Sequence, residues 1–307
     1  MNRAFVVSCA IVVMLVGASQ AGCLSLSNRY RTSLAVQTAS DLAYVDDGDP
    51  KHRLDIFAPS GAQGAPVVVF VHGGFWRSQD KRYFEPVVGL YGNVGVALAD
   101  MGIVTVIPSY RLFPQAQSFE EQLDDVAQAV RFTRDHIAVH GGDPNKIVLA
   151  GHSAGGHLVA YLGTSPDALT KRGLDQGIVK GTAALSGIYD VLTSANNADP
   201  PEDKVTLWDP FFGSDDEKRA ASPLAFFGIA PHAPIMLVIG ELDFKNCLRD
   251  YKNGVAALTP GDVRDPRLST VFVKGNTHED MVLEIGTRDD EVGPAVAAFA
   301  RVVTATH

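Results

Sequence analysis

Two kinds of hydrophobic pattern alternate along the chain. Uninterrupted apolar, β-branched runs occur at 66–71, 104–107, 146–150, 235–239 and 270–273, and 182–185 adds a shorter one. They lack the apolar–polar alternation of a half-exposed strand and predict parallel strands covered on both faces. Between them the period changes. Leu123, Val126, Val130, Thr133 and Ile137 recur at spacings of three and four, which predicts an amphipathic helix. Residues 154–162 and the alanine-rich stretch 292–303 predict two more helices. Near the start, 41–45 and 53–57 read as short strands joined by the turn sequence Asp46-Asp47-Gly48-Asp49-Pro50. Strands alternating with helices imply βαβ units. The fold class is therefore α/β: a doubly wound, mostly parallel sheet with helices on both faces. The alternation breaks over about 190–223, a stretch rich in Asp, Pro and Asn with Trp208, Phe211 and Phe212 set in it. It predicts a small cap insertion over the site rather than a second domain.

The first residues follow a different logic. Arg3 precedes an uncharged, almost wholly apolar run from Ala4 to Val16. That run is short for a membrane span of about 20 residues and suits the apolar region of an export signal. Small residues at Ser19 and Ala21 favour ordinary cleavage, whereas Ala21-Gly22-Cys23 resembles a lipoprotein signal, with Gln20 standing where that pattern carries leucine. The expected organisation is a signal peptide over 1–22, a linker over 23–40 and one α/β domain over 41–307. The protein is expected to be exported: periplasmic, secreted, or tethered through lipid on Cys23 to a bacterial membrane. A mature chain would keep only Cys23 and Cys247, and the cysteine spacing offers no zinc motif. The formal net charge of −9 with no basic stripe argues against a nucleic-acid partner.

Candidate chemistry collects where the apolar runs end. Gly151-His152-Ser153-Ala154-Gly155 follows one run directly and precedes a predicted helix. A serine on such a strand-to-helix turn projects its hydroxyl above the sheet, and small neighbours permit the strained backbone. His72-Gly73-Gly74-Phe75-Trp76 follows the first run. Glycines there leave backbone N–H groups free to receive a developing oxyanion, so Gly73 and Gly74, with the N–H of Ala154, are the expected donors. Serine needs a base, and in this arrangement the order is serine, acid, histidine. His278 follows the last run, in Gly275-Asn276-Thr277-His278. The acid is Asp243 in Ile239-Gly240-Glu241-Leu242-Asp243, with Glu241 as the alternative. Phe75, Trp76 and His152 are expected to line the substrate pocket, with Trp208 and Phe211 narrowing its mouth. His157, on the helix beyond Ser153, reads as a packing residue.

These motifs in register resemble the α/β-hydrolase-fold serine esterases. The resemblance is to the group that holds hormone-sensitive-lipase-like carboxylesterases, kynurenine formamidases and isoprenylcysteine methylesterases. Ser109-Tyr110-Arg111-Leu112-Phe113-Pro114, Gly141-Gly142-Asp143-Pro144, Tyr189-Asp190 and Ser222-Pro223 are similar to further stretches of that group, from about Asp41 to the C-terminus. Phe75 stands where the lipase branch carries a third glycine, which favours the formamidase and methylesterase branch. The resemblance implies two-step acyl transfer from a small ester through Ser153, with no metal and no cofactor. Three alternatives stand beside it: an arylformamidase, a serine peptidase of the prolyl-oligopeptidase type, and an inactive binding module.

Overall fold

The computed structural model describes residues 32–85, 89–229, 232–259 and 267–305. The stretch expected to be an export signal and Cys23 lie outside the described residues. Among the described residues no helix is long and apolar enough to cross a membrane.

Eight strands form one sheet: β1 (Val36–Ala43), β2 (Arg53–Pro59), β3 (Ala65–Val71), β4 (Val104–Pro108), β5 (Gly142–His152), β6 (Val179–Leu185), β7 (Ile235–Leu242) and β8 (Leu268–Thr277), in the order β1-β2-β4-β3-β5-β6-β7-β8. Only the β1–β2 and β2–β4 pairs are antiparallel; the other pairs are parallel. The uninterrupted apolar runs have a simple cause. In β3, Val67, Val69 and Val71 enter one core while Val68 and Phe70 enter the other. Helices α2 (Phe119–His136), α3 (Ala154–Thr164) and α7 (Lys245–Ala257) cover the first face; α1 (Leu90–Asp100) and α8 (Val292–Ala305) cover the second. With both faces dry, no strand position needs to be polar.

One boundary moves. β1 starts at Val36, inside the stretch assigned to a linker. It is an edge strand whose partly buried positions, Val36, Ala39 and Leu42, fall three apart because its register with β2 shifts between Ala39 and Leu42. A bulge of this kind erases the two-residue period by which a strand is recognised.

The insertion folds as short helical pieces: α4 (Val191–Asn196), a π-turn (Lys204–Trp208), α5 (Asp209–Phe212) and α6 (Asp215–Ala220). α6 begins with a reciprocal Ser214–Glu217 capping box. Buried Asp250 of α7 accepts the N–H groups of Tyr189 (2.7 Å) and Asp190 (2.9 Å), which ties the start of the cap to the core. Trp208, Phe211 and Phe212 are buried beneath the cap and surround Trp76, with ring centroids 5.3, 6.3 and 5.0 Å away.

Candidate active site

Four loops leave the carboxyl ends of parallel strands β3, β5, β7 and β8 and meet beneath the cap. That edge is where doubly wound sheets bind their ligands. The loop after β5 is a single residue. Ser153 sits between β5 and α3 with φ 56° and ψ −117°, a backbone conformation costly for any side chain bearing a Cβ. The surroundings enforce it: Ser153 N–H donates to Leu185 O (2.9 Å), and Ser153 O accepts from His157 N–H (3.0 Å). A Cβ at Gly151 would come within 2.5 Å of Gly155 O, and one at Gly155 within 2.1 Å of Val71 O. Both glycines are therefore required by the close approach of strand, turn and helix.

The loop after β3 is held on several sides. Trp76 O accepts from Gln122 Nε2 (2.7 Å) and from Phe113 N–H (2.9 Å). Tyr110 stacks on His72 at 4.2 Å and donates its hydroxyl to His72 O (3.0 Å). Burial lowers the pKa of His72 to about 4, so the ring is neutral, and its Nδ1–H donates to Gly73 O. Gly74 has φ +105°, and a Cβ there would lie 2.1 Å from Ser78 O.

Two expectations need correction here. Gly73 N–H is not free: it donates to the buried Tyr91 hydroxyl (2.9 Å), which in turn donates to Gln79 Oε1 (2.6 Å). Gly73 instead allows the loop to pack under the nucleophile turn, since a Cβ there would lie 3.2 Å from Ser153 Cβ. Of the three expected donors, the N–H groups of Gly74 and Ala154 are left without a partner among the described residues. His152 does not line the pocket either. Its Nε2–H donates to His278 O (2.9 Å) and its ring lies 4.6 Å from that of His278. Burial, reinforced by the nearby His278, lowers the His152 pKa to about 3. His152 is a neutral prop beneath the histidine loop.

Strand register brings the acid and base together. β7 and β8 pair Leu242 with Thr277, so the next residues of each strand, Asp243 and His278, emerge side by side. Asp243 Oδ1 accepts from His278 Nδ1–H at 2.7 Å. Glu241 is exposed and accepts from Gly275 N–H. The structure thus pairs Asp243, not Glu241, with the histidine. Burial works against the Asp243 carboxylate, yet hydrogen bonds from His278, the Ser186 hydroxyl and Phe244 N–H hold its pKa below the usual carboxylate value. Phe244 stacks on the His278 ring at 4.4 Å. Among the described residues Ser153 Oγ makes no hydrogen bond to His278; such bonds are often loose without substrate and tighten when it binds.

A slot of about 10 Å³, room for roughly one water, lies against Ser153 and Ala154. Trp76, Ile188, Trp208 and Cys247 wall it. Trp76 is buried and fixed by its indole N–H to His157 Nδ1 (3.2 Å), while His157 Nε2–H donates to Ala221 O in the cap (2.9 Å). Phe75, 38% exposed, lines both the slot and an open cleft of about 710 Å³ beyond it. Phe211 does not reach the mouth; it packs behind Trp76. Sequence reasoning missed Ser186, Tyr91 and Cys247. None belongs to a recognisable motif, and each acts through residues distant along the chain.

The family described as BD-FAE matches residues 54–246, which contain the glycine loop, the serine turn and Asp243. The chain belongs to the BD-FAE family. His278 lies beyond the matched segment. Among individual relatives, the chain is similar to isoprenylcysteine alpha-carbonyl methylesterase ICME of Arabidopsis thaliana, at 26% identity over 92% of this chain and 65% of that protein. Esterase LipQ of Mycobacterium tuberculosis is 30% identical over 88% of this chain and 63% of its own length. The chain thus spans 65% or less of the length of these two relatives. Among solved structures, inhibited esterase B of Lactobacillus rhamnosis superposes with a TM-score of 0.75, 18% identity and 96% coverage of both chains. A truncated carbohydrate esterase from gut microbiota superposes with a TM-score of 0.67, 19% identity and coverage of 91% of this chain and 98% of that one. The shared architecture is the α/β-hydrolase fold.

Proposed function

We propose that this BD-FAE family member is a serine hydrolase that cleaves small carboxylic esters through an acyl-enzyme on Ser153. The observation that carries the reading is the placement of strained Ser153 on a narrow slot whose walls Phe244 and Cys247 are in turn packed against His278 of the buried Asp243–His278 pair. Names of relatives such as methylesterase and esterase support the same chemistry.

In the mechanism, Ser153 Oγ attacks the ester carbonyl carbon while His278 Nε2 takes its proton. The carbonyl oxygen becomes an oxyanion facing the N–H groups of Gly74 and Ala154, at the N-terminus of α3. Asp243 keeps the proton of His278 on Nδ1, which leaves Nε2 as the base, and stabilises the imidazolium. Collapse expels the alcohol, which takes the proton from Nε2. A water then repeats the sequence on the acyl-enzyme and releases the acid. No step needs a metal or cofactor.

The oxyanion assignment has a direct test. Gly74→Ala places a methyl against Ser78 O and must shift the loop. Its expected effect is a loss of about 10²–10³-fold in kcat, the usual cost of one oxyanion donor. KM should change much less, because the donor acts on charge that exists only in the transition state. Steady-state kinetics on p-nitrophenyl acetate reads this out; unchanged kcat would remove Gly74 from the site.

The slot also sets a size limit. Space for about one water admits an acetyl methyl, whereas each further methylene meets Trp76, Ile188 or Trp208. The alcohol portion is left to the 710 Å³ cleft lined by Thr193, Asn197, Lys245 and Arg249 among others. In a series of p-nitrophenyl esters, kcat/KM is expected to be highest for acetate and to fall through butyrate to octanoate. A rise towards octanoate would contradict the acyl assignment of the slot.

A further inference from the structure

Cys247 takes no part in the proposed reaction, yet the fold delivers its thiol to the acid and base. Asp243 ends the strand side of the β7–α7 connection, Cys247 lies in the first turn of α7, and His278 arrives from β8. Cys247 is 2% exposed, and its Sγ lies 4.0 Å from His278 Nδ1, which itself is 2.7 Å from Asp243 Oδ1. One ligand atom from each of the three residues lies within 4.8 Å of the others. Thiolate, imidazole and carboxylate are the donors that zinc takes.

We infer that Asp243, Cys247 and His278 form a binding site for a thiophilic divalent cation such as Zn²⁺, and that its occupation switches the hydrolase off. Bond lengths of about 2.3 Å to sulfur and 2.0–2.1 Å to nitrogen and oxygen put tetrahedral ligands roughly 3.4–3.6 Å apart. The Sγ–Nδ1 separation therefore contracts a few tenths of an ångström from 4.0 Å, and the Nδ1–Oδ1 separation opens from 2.7 Å. Small side-chain rotations supply both. Cys247 lines the slot beside Ser153 and Asp243 lines the larger cleft, so the cation has a route in from the substrate side. The slot also leaves the fourth coordination position to a water.

The proton balance explains the inhibition. In the form that serves as base in the proposed reaction, His278 carries its one ring proton on Nδ1 towards Asp243, and Cys247 is a thiol. The cation takes the Nδ1 lone pair and the thiolate. The imidazole stays neutral by carrying its proton on Nε2, and the thiol proton leaves to solvent. One proton is released per cation, and nothing is oxidised or reduced. With Nε2 protonated, His278 cannot accept the proton of Ser153. This is a different role from a resident cofactor, and no cysteine spacing signals it, because the three ligands meet only through the register of β7 and β8.

Binding is tested without relying on catalysis. The Ser153→Ala protein is titrated with Co²⁺, and the thiolate-to-cobalt charge-transfer band is followed. The expected result is one cobalt per chain, with the band lost in Ser153→Ala/Cys247→Ala and in Ser153→Ala/Cys247→Ser. Cys9 and Cys23 are present in all three proteins and cancel. No band in Ser153→Ala, or a band undiminished by loss of Cys247, overturns the site. The inhibition arm rests on the proposed ester hydrolysis. Zn²⁺ should suppress p-nitrophenyl acetate turnover, and EDTA should restore it. Each Cys247 variant, compared with its own zinc-free rate, should need at least tenfold more zinc for half-inhibition. Equal sensitivity in wild type and variants refutes the switch. A protein that binds cobalt as expected but hydrolyses no ester would refute only the proposed reaction.

Discussion

Ser153→Ala is expected to lower kcat on p-nitrophenyl acetate by about 10⁶-fold, the scale of loss when a triad nucleophile is removed. The fold should survive. The change deletes one oxygen at the edge of the slot, while the strained backbone at φ 56° is held by the bonds to Leu185 O and from His157 N–H, which do not involve the side chain. Alanine keeps the Cβ and so neither relieves nor adds strain at this position. Circular dichroism and the thermal midpoint should therefore stay close to wild type, and a serine-directed phosphonate should no longer label the protein. A variant that keeps a tenth of wild-type activity with its midpoint intact would show that another nucleophile is at work.

Asp243→Asn is expected to cost roughly 10²–10⁴-fold in kcat, the upper end being the loss in a comparable triad, and Glu241→Gln almost nothing. The spread has a structural origin. Asp243 Oδ1 receives both His278 Nδ1–H and Phe244 N–H, while Oδ2 receives the Ser186 hydroxyl. If the nitrogen of the introduced amide faces the histidine, the imidazole is forced into the wrong tautomer, which costs about 10⁴-fold. If the amide oxygen stays on His278, the Ser186 hydroxyl can rotate to accept from the amide nitrogen. The tautomer is then kept and only the charge that stabilises the imidazolium is lost. Combining Asp243→Asn with Ser186→Ala separates the two cases by a double-mutant cycle. Near-additive losses mean that Ser186 does not steer the amide. Should Glu241→Gln prove the more damaging change, the acid has been misassigned. Among the described residues the side chain of Glu241 accepts only from Gly275 N–H, at the exposed end of the sheet, so its removal leaves the base untouched.

What the sequence determined on its own is whatever depends on neighbours a few residues away. Strands buried on both faces write continuous apolar runs, and β3 to β8 start and end within a few residues of the runs that predict them. The serine turn is legible for the same reason: a strand, one strained residue and a helix demand small residues at fixed offsets, and Gly151 and Gly155 are there. Elements without a clean period were harder. α1 is buried all round and carries two glycines, so it presents no polar face to set against an apolar one. β1 hides behind its bulge.

Tertiary structure decided everything that depends on residues far apart meeting. Two carboxylates two residues apart on one strand end look alike in sequence. The pairing of Leu242 with Thr277 is what sends Asp243 towards His278 and leaves Glu241 at the edge. The glycine loop offers two similar N–H groups, and it is Tyr91, reaching in from α1, that takes the one on Gly73. His152 belongs to the serine motif by sequence but to the histidine loop by its hydrogen bond. Cys247 is a solitary cysteine until β7, α7 and β8 place it against the acid and base. Steric rules act along the chain and can be read there. Hydrogen-bond partners are chosen in space, by strand register and by which helix packs on which face, and a linear pattern carries no record of that choice.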